Sequence, residues 1–149
     1  MRKYKDRRGV EHSVEITLLH RRQIRERLEI DLVQCAHERE ALEHMLNEVS
    51  TDDLCQWEML AIIEGATAEA LMDAADGETA VAANEALIEA IIDFFPERSP
   101  LKAPLREYIR KATESQQAAL QAVEAEMLRI IEGLDISSAL DHAQAPMNG

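Results

Sequence analysis

Apolar residues recur at helical spacing along most of this chain. Ile24, Leu28, Leu32, Cys35, Leu42, Leu46 and Val49 follow one another at intervals of three, four or seven, with Arg39 in the one remaining slot. A stripe of this kind turns one face of a 3.6-residue helix toward a core. It predicts a first helix over about residues 13–49, with Ser13 able to cap it; uninterrupted, that helix is roughly 55 Å long at 1.5 Å per residue. The run 14–18 alternates between apolar and polar residues, which leaves a short strand open at its start. A weaker stripe, Leu19, Ile30, Val33, His37 and His44, lies opposite the main one. A helix that is apolar on two faces has two things to pack against: its own domain, and a second copy or a partner helix.

The next segment, Ser50-Thr51-Asp52-Asp53, reads as a stop and restart, because Ser50 and Asp53 stand at capping-box spacing. The second helix then carries Leu54, Trp57, Leu60, Ala61, Ala68, Leu71, Met72 and Ala75, with Gly65 as a bend and Asp76-Gly77 as its end. Thr79 is placed to cap a third helix bearing Val81, Leu87, Ile88, Ile91, Ile92 and Phe95, which Pro96 ends. A loop with Pro96, Pro100 and Pro104 follows, and the fourth helix starts near Pro104. Its stripe is Leu105, Tyr108, Ile109, Ala112, Ala119, Val123, Met127, Ile130 and Leu134, and Gly133 is its expected stop.

Short connections make sequential helices antiparallel neighbours. The expected fold is therefore all-α: an antiparallel four-helix bundle with long first and last helices. Residues 1–12 form a basic flexible arm, 13–135 a single helical domain and 136–149 a flexible tail. Long helices that overhang a shorter pair leave an apolar stripe to be covered, and a second copy of the chain is the simplest cover. The expected partner is thus a protein, with a homodimer formed through Leu19, Ile30, Val33, His37 and His44.

Composition agrees with a packed helical core. The 149 residues are 46% hydrophobic and 30% charged, and only 3% are aromatic, so Leu, Ile, Val, Met and Ala must fill the interior. No stretch approaches the 18 or so apolar residues of a membrane span. The basic N-terminus is followed by no apolar run of the secretory type. Cys35 and Cys55 lie among apolar neighbours and read as reduced, buried thiols of a cytoplasmic protein.

Charge changes the picture most. Residues 40–97 contain no Lys or Arg and 15 Asp and Glu, whereas the first 39 residues carry ten basic and seven acidic side chains. The formal net charge of −13 thus comes from the middle of the chain. Arg21, Arg22, Arg25 and Arg27, with the basic arm, make an opposite pole. Such segregation selects partners by repulsion as well as attraction. It argues against direct nucleic-acid binding, which needs clustered basic residues.

Candidate chemistry is thin. His37, Glu40 and His44 stand at i, i+3 and i+7, which on one helix presents two imidazoles and a carboxylate, part of a metal shell. No second cluster accompanies them, and no Glu-x-x-His pair of the di-metal bundle type occurs. Neither His37 nor His44 is followed by the His-x-x-Lys-Gly signature of phosphotransfer bundles. Arg39/His44 and Arg7/His12 match the Arg-x4-His spacing of small helical RNases, but His44 sits in acidic surroundings that offer RNA no path. Glycine-rich phosphate loops and nucleophile elbows are missing. No catalytic residue, metal ligand or cofactor is assigned. The expected function is a non-enzymatic helical interaction protein, an adaptor, chaperone or regulatory factor. The alternative is an acidic mimic of nucleic acid that occupies a basic nucleic-acid-binding protein, and a helical metal-dependent enzyme ranks third.

Overall fold

The computed structural model describes residues 2–51 and 53–144, with side chains described for all of these but 50, 51, 53 and 134–144. The chain divides into two units, Met1–Arg106 and Glu107–Gly149. It is mostly helical, as the patterning implies. Among the described residues there are seven helices and one hairpin instead of four long helices.

The first unit opens with β1 (Arg2–Lys5) and β2 (Glu11–Val14), an antiparallel hairpin that pairs Arg2 with Val14 and Tyr4 with His12. This corrects the arm expected at 1–12. Asp6 builds the turn: its Oδ1 accepts from the backbone N–H of Arg8 at 2.8 Å and of Val10 at 3.1 Å. Gly9 takes the left-handed conformation that closes the loop, with φ of 79°. Alternation puts Arg2, Tyr4, His12 and Val14 on one face, with Tyr4 and Val14 buried, and leaves Lys3, Lys5, Glu11 and Ser13 exposed on the other.

The expected first helix is three helices: α1 (Leu18–Leu28), α2 (Leu32–His37) and α3 (Arg39–Thr51). Thr17, not Ser13, caps α1, in a capping box with His20. The first break has a local cause. Glu29 is left-handed with φ of 59°, and the Asp31 carboxylate accepts from the N–H groups of Val33 and Gln34, so a new helix starts there. Glu38 is extended and makes the second break. The main stripe keeps its role across both breaks, for Ile24, Leu32, Cys35, Leu42 and Val49 are all buried. Three helices reach one core where a single straight rod would overrun it.

Helix α4 (Asp53–Glu64) lies at the centre of this unit and packs against α1, α3, α5, α6 and β2. It is buried nearly all round, with Cys55, Gln56, Trp57, Met59, Leu60, Ala61, Ile62 and Ile63 inside. The capping box expected at Ser50–Asp53 falls outside the described side chains. Gly65, with φ of 70°, ends α4, and Thr67 caps α5 (Ala68–Asp73) by accepting from Ala70 N–H. Asp76, where the second helix was expected to end, instead caps α6 (Gly77–Phe94) by accepting from Thr79 N–H at 2.8 Å. Asn84 donates to Gln56 Oε1 at 2.8 Å and Gln56 donates to Ala80 O at 3.3 Å, which sets α6 against α4.

The proline loop is fastened at two buried points. Ser99 Oγ donates to Ala36 O, and Lys102 Nζ donates to Phe95 O at 3.0 Å and Glu97 Oε1 at 2.7 Å. The lysine thus serves a C-terminal carbonyl of α6. Helix α7 (Lys102–Gln144) begins here, runs unbroken through Gly133, and makes up the described part of the second unit from Glu107 on. Residues 136–144 are therefore helical and not a tail, while 145–149 lie outside the described residues.

Candidate interaction site

The residues expected to form a second face on the first helix do not share one. Leu19 is exposed on α1, Ile30 is 7% exposed in the α1–α2 linker, and Val33 is half-buried on α2. His37 and His44 are exposed on different helices. The left-handed Glu29 and the extended Glu38 destroy the single helical register that would have aligned them. The same break separates His37 from Glu40 and His44, and His44 Nε2 lies 3.9 Å from Glu48 instead. Among the described residues no group of three or more His, Cys, Asp or Glu side chains is placed to hold a metal ion.

A cluster that the sequence reading missed lies under the hairpin. His12 stands between two carboxylates: Nδ1 is 2.5 Å from Glu64 Oε1 and Nε2 is 2.9 Å from Asp6 Oδ2. Tyr4 stacks on the imidazole at 4.8 Å between centroids and donates its hydroxyl to Glu64 Oε2 at 2.7 Å. The His12 side chain is only 17% exposed. Burial alone would lower its pKa, but the hydrogen bonds and charges of Asp6 and Glu64 outweigh that and raise it. Hydrogen bonding from His12 holds the Asp6 carboxyl below its ordinary range. Burial, then the Glu64 carboxylate, pushes the Tyr4 phenol up. Both ring nitrogens of His12 are hydrogen-bonded to carboxylates, one from the hairpin turn and one from α4, so the cluster clamps the hairpin to α4. Residues 2–5 and 11–14 each hold one apolar side chain and show no alternation that would announce the hairpin, and the Glu64 partner lies 52 residues from His12.

Several acids of the chain's middle are paired from within. Arg2 pairs with Asp93 at 2.9 Å and Glu89 at 3.4 Å, and Arg8 pairs with Asp73 at 3.2 Å. His12 takes Glu64, Lys102 takes Glu97, and Arg39 takes Glu43 at 3.0 Å. A shallow cleft beside the hairpin gathers Lys5, Arg7, Asp76 and Glu78. Opposite charges offset one another there, and the Asp76 carboxylate, held low by the Thr79 N–H and hydroxyl, is committed to capping α6.

Cys35 carries no reactive signature. Cys35 and Cys55 are buried, and burial pushes the Cys35 thiol up to about 11, away from the thiolate needed for nucleophilic chemistry. Trp57 is buried in α4 as a core anchor.

What stands uncovered is the apolar side of α7. Leu120 is 62% exposed and Ile130 53% exposed, and Val123, Met127, Leu128 and Ile131 are similarly open. Leu120, Val123, Met127 and Ile130 follow at steps of three, four and three, so they stand on one side of the helix. Its polar side is bound up locally: Arg110 pairs with Glu107 and with Glu114 at 2.6 Å, and Arg129 with Glu126 at 2.5 Å. Isolated exposed apolar residues are ordinary, but six within twelve residues of one helix form a patch of the kind that marks a contact surface. No helix among the described residues is long and apolar enough to cross a membrane. No family model, curated protein or solved structure matches the chain.

Proposed function

We propose that this chain is a non-enzymatic interaction protein, an adaptor, chaperone or regulatory factor of the cytoplasm, whose working surface is the apolar face of α7. The observation that carries this reading is the run of open Leu, Val, Met and Ile side chains at heptad spacing on a helix that is otherwise polar. Water-exposed apolar area of this extent favours association, at about 25 cal/mol for each Å² removed from water. A partner helix laid along the stripe is the geometry that buries it. The acids of the 40–97 segment weigh less as stand-ins for phosphate, because Arg2, Arg8, His12, Lys102 and Arg39 already hold several of them.

Site-specific photo-crosslinking tests the reading. A photoreactive residue at Val123 or Ile130 should give discrete protein adducts in cells, and one at Gln121, off the stripe, should give few. Equal labelling at all three positions, or none at any, would remove the case for α7 as the working surface.

A further inference from the structure

We propose that the hairpin of β1 and β2 is a proton-latched flap: protonated His12 closes it over α4, and loss of that proton lets it open as a unit while the helices beneath stay folded. The device is separate from the face of α7 and needs nothing from it.

Its basis is the number of protons on one ring. A neutral imidazole has one N–H and one lone pair, and only the imidazolium donates from both nitrogens. His12 faces a carboxylate oxygen at each nitrogen, Asp6 Oδ2 at 2.9 Å and Glu64 Oε1 at 2.5 Å. Both acids are more enclosed than the ring, the Asp6 side chain 5% exposed and that of Glu64 10%. Once the proton leaves, one of them faces a lone pair at hydrogen-bonding distance, whichever tautomer forms. The cluster then holds two carboxylates and no cation, in a place where water screens them poorly. Asp6 belongs to the hairpin turn and Glu64 to α4, so the repulsion acts across the contact that seats the hairpin. Lifting the hairpin returns both acids to water.

The other described fastenings of the hairpin keep their charge through the same range. Arg2 pairs with Glu89 and Asp93 of α6, and Arg8 with Asp73; these pairs are exposed and contribute little. Arg7 N–H donates to Ala74 O at 3.0 Å. Burial pushes the Tyr4 phenol up, so Tyr4 remains a donor to Glu64. The charged groups that meet His12 are thus Asp6 from its own hairpin and Glu64 from α4, while the acids of α6 at this contact are engaged by Arg2. The two strands are held to each other by their own ladder and by Lys3 with Glu11 at 3.1 Å, so they can leave together.

The direction of the switch follows. Burial works against the charge on His12, but the hydrogen bonds and charges of Asp6 and Glu64 outweigh it and raise the pKa. The latch is shut below the unfolded value of about 6.5 and gives way as pH rises through the higher folded value. Opening of one supersecondary unit ahead of the rest is an ordinary form of local unfolding.

Hydrogen–deuterium exchange on the full chain tests this, with labelling times scaled to the intrinsic rate at each pH. Protection of amides in 2–14 should fall by about tenfold or more between about pH 6 and pH 9, the factor expected for one charge-assisted hydrogen bond. Protection in α4 and α6 should hold. His12→Gln offers one donor to two acids at every pH, so its hairpin should exchange fast at both. In the native chain, ring nitrogen shifts of His12 should report a doubly protonated imidazole at pH 6 that is lost with the same midpoint as the protection. Hairpin protection that does not change with pH overturns the flap, and so does a matching loss in α4 and α6, which is global unfolding. A His12 ring already neutral at pH 6, or a His12→Gln chain that keeps the native pH dependence, overturns the latch.

Discussion

His12 meets an unusual demand for a histidine on a two-stranded hairpin: it holds two carboxylates from opposite sides while a tyrosine lies on its face. Its raised pKa makes it a stabilising cation, and the sign of the pH effect follows. The histidine binds its proton more tightly folded than unfolded, so its contribution is complete below the unfolded value of about 6.5 and is lost as pH rises through the higher folded value. Asp6 acts in the opposite sense, its contribution fading as pH falls through its lowered folded value. Urea unfolding should therefore show stability falling above neutral pH in the native protein, and His12→Gln should remove that slope. The substitution should also cost on the order of 1–3 kcal/mol at pH 6, since Asp6 and Glu64 lose a charged partner in a largely buried place. An unchanged slope would mean that His12 stays neutral in the fold.

At the level of elements, helix existence is written in the periodicity and helix ends are written in single residues. Most of the main stripe is buried, yet a 3.6-residue period does not register a linker after which the next helix again turns its stripe to the core. Glu29 to Asp31 is such a linker, and Ile30 within it is buried for a reason of its own. Asp31 as an N-cap is a readable signal; Glu29 in the left-handed region is not, because glycine is the residue that announces that conformation. Glu29→Gly should stabilise the protein by roughly 0.5–1 kcal/mol, since a glycine takes this backbone conformation without the Cβ penalty. Thermal unfolding at matched pH measures it, and a lower midpoint would show that the Glu29 side chain contributes more than its backbone costs. The stripe read on α4, Leu54, Trp57, Leu60 and Ala61, misjudges its burial: Leu54 is exposed while Cys55, Gln56, Met59, Ile62 and Ile63 are also buried, and a helix enclosed on nearly all sides has no polar face to set the period.

On the scale of the whole molecule, the charge map changes meaning once the hairpin is in place. The basic start of the chain and its acidic middle are two halves of one contact, for β1 packs on α6 and Arg2 reaches Glu89 and Asp93. Those ion pairs are exposed and contribute little, so burial of Tyr4 and Val14 must hold the hairpin down. Tyr4→Ala should accordingly lower stability by about 2–4 kcal/mol, while Arg2→Ala leaves the urea midpoint close to that of the native chain. The reverse order would make the hairpin an electrostatic latch. High salt should leave the hairpin attached for the same reason, because screening acts on the exposed pairs and not on the buried rings.

Local chemistry accounts for what could be read in advance: a mostly helical chain, a break at the proline loop, a core of aliphatic side chains, an acidic middle, and an apolar stripe on the last helix; at Gly65 a bend was expected where the structure has a break. Each depends on residues within a few turns of one another. The hairpin, the His12 clamp, the division of the first helix into three and the central place of α4 depend on partners far away in sequence. Residue 12 meets residue 64, residue 2 meets residue 93, and residue 99 meets residue 36. Such contacts are selected by the shape of a core that exists only after the chain has closed on itself. Until then the same Asp and Arg side chains are equally suited to water, to a partner or to one another.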